Sequence, residues 1–404
     1  MDPSRDPSRD PSRDPSRDPS RMATEQETKR QRVAGRGGWG EHSNVQQDWA
    51  ELRTVQPFPK ESKDMETIFE KLLANGVVLV ETGISTEEMS MLQKGFNELL
   101  IDLVPDGRNA PKGTAGCLIC KRYGAASSKA SMQARLQEKV QKIFQAFYDN
   151  EDCAVSVDAP TLVPESAKRQ TSNSKCVHPE EARYFNWTGG SFPLHIDYNT
   201  EAEDIERLMQ QRGFSKPYAV QGQLVVHSVP EGGSTFVCVP GNYVGADYRE
   251  QVAGMFKPSD RAFRTCKSEE YKHFERRTCA FDGLAAGTLI LWLSRTPHGN
   301  KLSDKDVSTK RGGQFVCWMP KNLQAPDLRQ ATKDCKLKGA ERGASTDHWP
   351  LQPADKMAQS RGGHMSNPRD PGAPGRTTVL FDEKHPAGEH VWGPELTARL
   401  REAC

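Results

Sequence analysis

The chain has 404 residues, enough for one large domain with extensions or for two ordinary domains, and 55 Lys and Arg against 54 Asp and Glu leave a net charge of +1. A balance that close gives no bulk field toward nucleic acid or an anionic membrane surface, and no stretch approaches the roughly 18 apolar residues of a spanning helix. The opening residues carry no apolar run, so no signal peptide is expected. Ten Cys without a framework rhythm read as free thiols of an intracellular protein. The expected location is cytoplasmic, with Lys29-Arg30-Gln31-Arg32 as a weak basic stretch of the nuclear-address kind.

Residues 1–21 repeat RDPS, with nothing apolar to bury and Pro steps that oppose helix, so a polar disordered tail is expected over 1–58. Met65, Ile68, Phe69, Leu72 and Leu73 then fall at helical spacing, with Gly76 placed to end the helix. A short strand, Val77–Val80, follows. Ser85 with Glu88 forms a capping box before a helix carrying Met89, Leu92, Phe96 and Leu99. A third helix is predicted over about 129–148, from Met132, Leu136, Val140, Ile143, Phe144 and Phe147. Cys117 and Cys120 between them make only half of a zinc site, and structural zinc wants four ligands.

From residue 154 the texture changes to short β-branched and aromatic runs at 154–163, 181–187, 218–229, 234–239, 287–293 and 314–319, punctuated by Gly, Pro, Asp and Asn. A polar insertion at about 200–215 and a charged one at about 246–280 interrupt them. The expected fold is mainly β with a helical flank, a double-stranded β-helix (jelly roll, cupin-like). It would occupy 59–320, with the flank at 59–150 and the β core at 151–320. The apolar-poor stretch 321–404 reads as a mostly irregular wrap.

Two segments concentrate chemistry. FPLHIDYN places His195 and Asp197 two residues apart, on one face if the segment is extended. LILWLSRTPHGN places His298 just after a strongly apolar strand. Two His and one carboxylate, two close and one distant in sequence, match the facial triad of non-haem Fe(II) enzymes, which leaves the remaining positions open. Thirteen residues beyond His298, Arg311 enters the next strand with a planar fork suited to a carboxylate. Its neighbour Lys310 is the alternative cation, and a solvated charge is the plain alternative for both. His273 and His348 read as ordinary surface or packing histidines, and Trp187, Phe192, Tyr198 and Trp292 as pocket wall or core.

Together with NGVVLVETGISTEEM and GGSTFVCVPGNY, these segments carry a resemblance over roughly 65–320. The chain resembles the phytanoyl-CoA dioxygenase-like branch of the Fe(II)/2-oxoglutarate-dependent oxygenases. It departs from that pattern where the turn ends in Asn242-Tyr243 rather than Ser-His, and where Arg311 stands slightly further from the distal His. The resemblance implies that His195, Asp197 and His298 hold Fe(II) and that Arg311 binds the 2-oxoglutarate carboxylate. Gln223 is a further polar contact to that co-substrate. O2 is implied as oxidant and ascorbate as reductant, with a small-molecule or lipid-like substrate. An acidic residue at Asp197 favours hydroxylation over halogenation, which needs a small residue there.

Two other readings compete with this one. One is a catalytically silent jelly-roll binding protein, which would lack a ligand; the other is a co-substrate-independent cupin-type metalloenzyme, which would gather more His and leave Arg311 without a purpose. Substrate identity and oligomeric state are not written in the sequence.

Overall fold

The structure, a computed structural model, describes residues 50–103, 125–163, 190–198, 200–245, 248, 252–256, 264–267, 274, 277–301, 303–304, 307, 310–341, 348–351 and 392–404. The RDPS repeat, Lys29–Arg32, Cys117 and Cys120, the predicted strand at 181–187 with Trp187, and His273 lie outside them. Residues Trp49–Cys404 form one compact unit. No helix among the described residues is long and apolar enough to cross a membrane, and the described cysteines are free thiols.

Helix α1 (Ser62–Asn75) buries Ile68, Phe69 and Leu72 along the predicted stripe and ends at Gly76. That glycine is left-handed (φ 72°), and its N–H closes the last turn on the Leu72 carbonyl. Strand β1 (Val77–Glu81) follows. Helix α2 (Thr86–Leu103) starts on the predicted capping box: the Glu88 N–H donates to Ser85 Oγ at 3.2 Å and the Ser85 N–H to Glu88 Oε2 at 2.9 Å. The predicted third helix is two, α3 (Lys129–Arg135) and α4 (Glu138–Tyr148). Gln137 between them is extended. The apolar register runs through the break without interruption, which is why periodicity alone hides it.

Among the described residues, ten strands form two five-stranded antiparallel sheets. The larger has the order β1–β9–β5–β11–β3, where β3 is Pro160–Val163, β5 Val220–Val225, β9 Thr288–Leu293 and β11 Arg311–Val316. The smaller is β7–β4–β10–β6–β8, where β4 is Gly190–Ile196, β6 Thr235–Cys238, β7 Arg264–Thr265, β8 Cys279–Ala280 and β10 His298–Lys301. Inward residues of both share one apolar cluster: Val77, Leu79, Val225, Ile290, Trp292 and Phe315 from the larger sheet meet Phe236, Cys238 and Cys279 from the smaller. The two sheets therefore face each other, and the fold combines helices with antiparallel sheet.

Two predicted strands are broken at matching places. The run at 154–163 becomes β2 (Cys153–Val155) and β3, separated by a buried link through Asp158. The run at 314–319 becomes β11 and β12 (Trp318–Pro320), separated by Cys317. Strand β12 leaves the larger sheet to pair with β2, and at the step Ser156 and Cys317 bond to each other through N–H and carbonyl (2.8 Å) and through N–H and Oγ (3.0 Å). Every residue across both links is buried, Ser156 and Asp158 included, so the breaks do not bring the chain to the surface.

The polar insertion after Asn199 is helix α5 (Thr200–Gln211). Where the sequence suggests an irregular wrap, the described residues form α6 (Pro326–Glu341) and α7 (Pro394–Ala403). Helix α7 is packed by Leu396 and Leu400, and just before it the Trp392 indole donates to the Ser127 carbonyl at 2.8 Å.

Candidate metal centre

Strand pairing brings the two distant segments together. His195 on β4 and His298 on β10 are direct cross-strand partners, with ring centroids 4.2 Å apart. Asp197 leaves the end of β4 on the same side, as the two-residue period requires. Its Oδ1 lies 3.6 Å from His195 Nε2 and its Oδ2 lies 3.2 Å from His298 Nε2. One ligand atom from each of the three residues falls within 4.8 Å of the others, and all three side chains are buried.

Several contacts fix this group. The Thr296 carbonyl lies 2.9 Å from His298 Nδ1. A carbonyl only accepts, so Nδ1 carries the proton and Nε2 of a neutral ring keeps its lone pair toward Asp197. Thr296 is held in turn: its Oγ1 donates to the Gly76 carbonyl at 2.7 Å. Phe236 stacks on His298 at 5.6 Å and Trp292 lies 5.3 Å from it, so Trp292 is both core and wall.

Arg295 ties the two metal-facing segments together. It donates from Nε to Glu206 Oε2 on α5 at 2.9 Å and from Nη2 to the Tyr198 hydroxyl at 3.0 Å. It also stacks against Tyr198 and Tyr248.

The charge balance suits a cation. Burial opposes a charge on Asp197, but His348, His195 and His298 outweigh it and hold the carboxyl far below the usual range. Its Oδ2 is buried without a hydrogen-bond donor. Two imidazoles and an ionised carboxylate converging on such an orphaned oxygen fit a divalent transition metal.

Arg311 reaches the same interior. It is 3% exposed, and burial pushes its guanidinium down to about 9. Its Nη2 donates to Asn300 Oδ1 at 2.9 Å and to Gln223 Oε1 at 3.2 Å, while Nη1 is buried without a partner. Asn300 lies two residues beyond His298 on β10, so the residue that Arg311 meets from the larger sheet shares a face of the smaller sheet with the histidine. Gln223 is engaged at both ends, since its Nε2 donates to Thr161 Oγ1 at 3.2 Å. A small cavity lined by Gln223, Val225, Thr235 and Ile290 adjoins the guanidinium. Lys310 bears instead on His227.

The structure adds residues that sequence reasoning missed. His348, taken there for a surface or packing residue, places Nε2 3.6 Å from Asp197 Oδ2 and Nδ1 2.5 Å from Asp158 Oδ2. Burial works against its charge, but Asp158 and Asp197 reverse that and hold the imidazole well above its ordinary range. One signal was present: Trp349 and Leu351 are apolar residues in an otherwise polar stretch, the mark of a segment that docks.

Two facing antiparallel sheets enclosing a buried His–Asp–His group define a candidate metalloprotein. No protein-family model and no curated protein matches the sequence. Among solved structures, the chain is similar to GlcNAc Inducible Gene 2 (DUF1479) from Candida albicans, at 13% identity and a TM-score of 0.48 over 88% of this chain and 86% of that one. It is also similar to the hypothetical protein JW0805 from Escherichia coli, at 14% identity and a TM-score of 0.46 over 94% and 91%. A third likeness is to the epimerase SnoN, determined with Fe3+, alpha ketoglutarate and nogalamycin RO, at 14% identity and a TM-score of 0.42 over 65% and 85%. Likeness at this level leaves activity to be argued from the site.

Proposed function

We propose that this chain is an Fe(II)- and 2-oxoglutarate-dependent oxygenase of the phytanoyl-CoA dioxygenase-like type, on a double-stranded β-helix, that hydroxylates a small or lipid-like organic substrate. The observation that carries the reading is Arg311. A buried guanidinium without a carboxylate partner is costly, and this one reaches from the larger sheet to Asn300, two residues from His298, with one nitrogen unpaired. The distal carboxylate of 2-oxoglutarate would satisfy it, whereas a co-substrate-independent enzyme gives it no purpose.

In this reading His195, Asp197 and His298 hold the metal. With 2-oxoglutarate and O2 bound, Fe(II) there would supply the oxidant for a substrate C–H bond, at the cost of co-substrate decarboxylation to succinate. The protein contributes position and environment. Thr296 fixes the His298 tautomer, and Asp197 supplies the carboxylate between the two imidazoles. Gln223 and Asn300 aim Arg311, and Gln223, which lines the cavity beside the guanidinium, would also meet the co-substrate. Phe236 and Trp292 exclude water from the inner side of His298.

The test is anaerobic Fe(II) titration with 2-oxoglutarate, following the weak visible charge-transfer band. Wild type should give the band only when both are present, and His195→Ala should give none. Arg311→Met should bind the metal normally but need about 100-fold more 2-oxoglutarate, the scale of losing a buried charge partner. Iron binding without a band would remove 2-oxoglutarate from the reading, and absence of iron binding would leave a silent binding protein.

A further inference from the structure

His348 enters the centre at the matching strand breaks, between Asp158, Cys317 and Asp197. Both of its ring nitrogens face carboxylates, 2.5 Å from Asp158 and 3.6 Å from Asp197, and its ring stands edge-on to Phe315 at 5.7 Å. It does not belong to the mutually close ligand set, which among the described residues comprises His195, Asp197 and His298 alone. Its place is behind a ligand.

Asp158, its second partner, is fixed from every side. Its side chain has no exposed surface, and Oδ1 accepts the Ala159 N–H at 2.8 Å. Its carbonyl accepts Arg135 Nη2 at 2.5 Å and Gln314 Nε2 at 3.0 Å. The chain beyond His348 is also pinned, by buried Trp349 and by Gln324 Nε2 donating to the Leu351 carbonyl at 2.7 Å. Buried neighbours on both sides thus place the His348 ring between the Asp158 and Asp197 carboxylates, where it can limit how Asp197 turns.

We propose that Asp158 and His348 form a positioning pair for the Asp197 carboxylate, so that the segment after α6 completes the metal centre of the smaller sheet. The inference rests on the metal-site reading above. A ligating carboxylate must be stopped from rotating about its Cβ–Cγ bond, and outer partners that do so control metal affinity. His348 bears on Asp197 Oδ2, the oxygen without a hydrogen-bond donor.

The probe is Mn(II) alone, with binding to the full chain read by electron paramagnetic resonance without 2-oxoglutarate. His348→Ala and Asp158→Asn should each weaken binding about 10- to 100-fold, the usual cost of an outer partner. The double variant should bind no worse than His348→Ala, because Asp158 acts through the imidazole. His348→Gln, whose amide can still donate to Asp197, should recover most of the affinity; if His348→Ala does not fold, this variant and Asp158→Asn carry the test. Unchanged affinity with a lowered melting temperature would make His348 a packing residue and overturn the proposal. Tighter binding would overturn it too, by showing that the imidazole competes with the metal. Failure of wild type to bind Mn(II), with His195→Ala identical to it, would instead sink the metal-site reading itself.

Discussion

His227, in the turn after β5, shows what a single buried group costs this fold. Both of its ring nitrogens are buried without partners. A Cβ on Gly312 would fall 2.1 Å from its Nδ1, so glycine is what lets β11 pass the ring. Burial, and then the nearby Lys310 charge, push the imidazole down to about 4. In the unfolded chain it should titrate near 6.5. Between those values the unfolded chain holds a proton that the folded one does not, so stability falls as pH drops through that window. Urea unfolding at pH 7 and pH 5 should therefore show a loss that shrinks in His227→Leu by roughly 1–2 kcal/mol, after allowance for residual solvent screening. Equal losses in the two proteins would mean the ring is hydrated. Neither this strain nor the role of His348 was legible in sequence, where both are isolated histidines. That Arg311 opens a strand soon after His298 was legible, because the apolar run that follows it marks the strand.

Among the elements, the junction of α1 and β1 controls the centre from outside the smaller sheet. The Gly76 carbonyl accepts both the Leu293 N–H at 3.1 Å and the Thr296 hydroxyl at 2.7 Å, and Thr296 in turn orients His298. Gly76 is left-handed, and a Cβ there would stand 2.6 Å from Thr296 Oγ1 and 2.7 Å from Tyr243 Cδ2. Gly76→Ala should thus combine backbone strain with overpacking, at roughly 2–4 kcal/mol. It should also weaken metal binding, because the shift is transmitted to the His298 tether. Urea midpoints with parallel Mn(II) titration would check this, and a destabilised variant with wild-type metal affinity would refute the tether. Sequence predicted this glycine as a helix stop and Ser85–Glu88 as a capping box, because both signals are local. The breaks at Gln137, Asp158 and Cys317 were not legible. At Asp158 and Cys317 the flanking residues are buried on both sides, and the break is set by which sheet each strand pairs with.

At the scale of the molecule, the larger sheet cannot be assigned to one part of the chain. Strand β1, from the region read as helical flank, forms its edge against β9 some two hundred residues later, and β3 forms the opposite edge against β11. The proposed centre is as dispersed, drawing on Asp158, His195, Asp197, His298 and His348. No portion of the chain contains either a complete sheet or a complete site, so flank and β core should unfold together. Fluorescence from the buried Trp292, Trp318 and Trp349 and far-ultraviolet circular dichroism should then trace one coincident urea transition for the unit Trp49–Cys404. An ion held only by the assembled site must also stabilise the whole unit. Mn(II) at 100 times its dissociation constant should add about 2.7 kcal/mol to unfolding, moving both signals by the same amount. A chelator should reverse the shift, and His195→Ala should not show it. Two separated transitions, with the metal displacing only one, would instead mean that the helices and the sheets are independent bodies and that the centre belongs to the sheets alone.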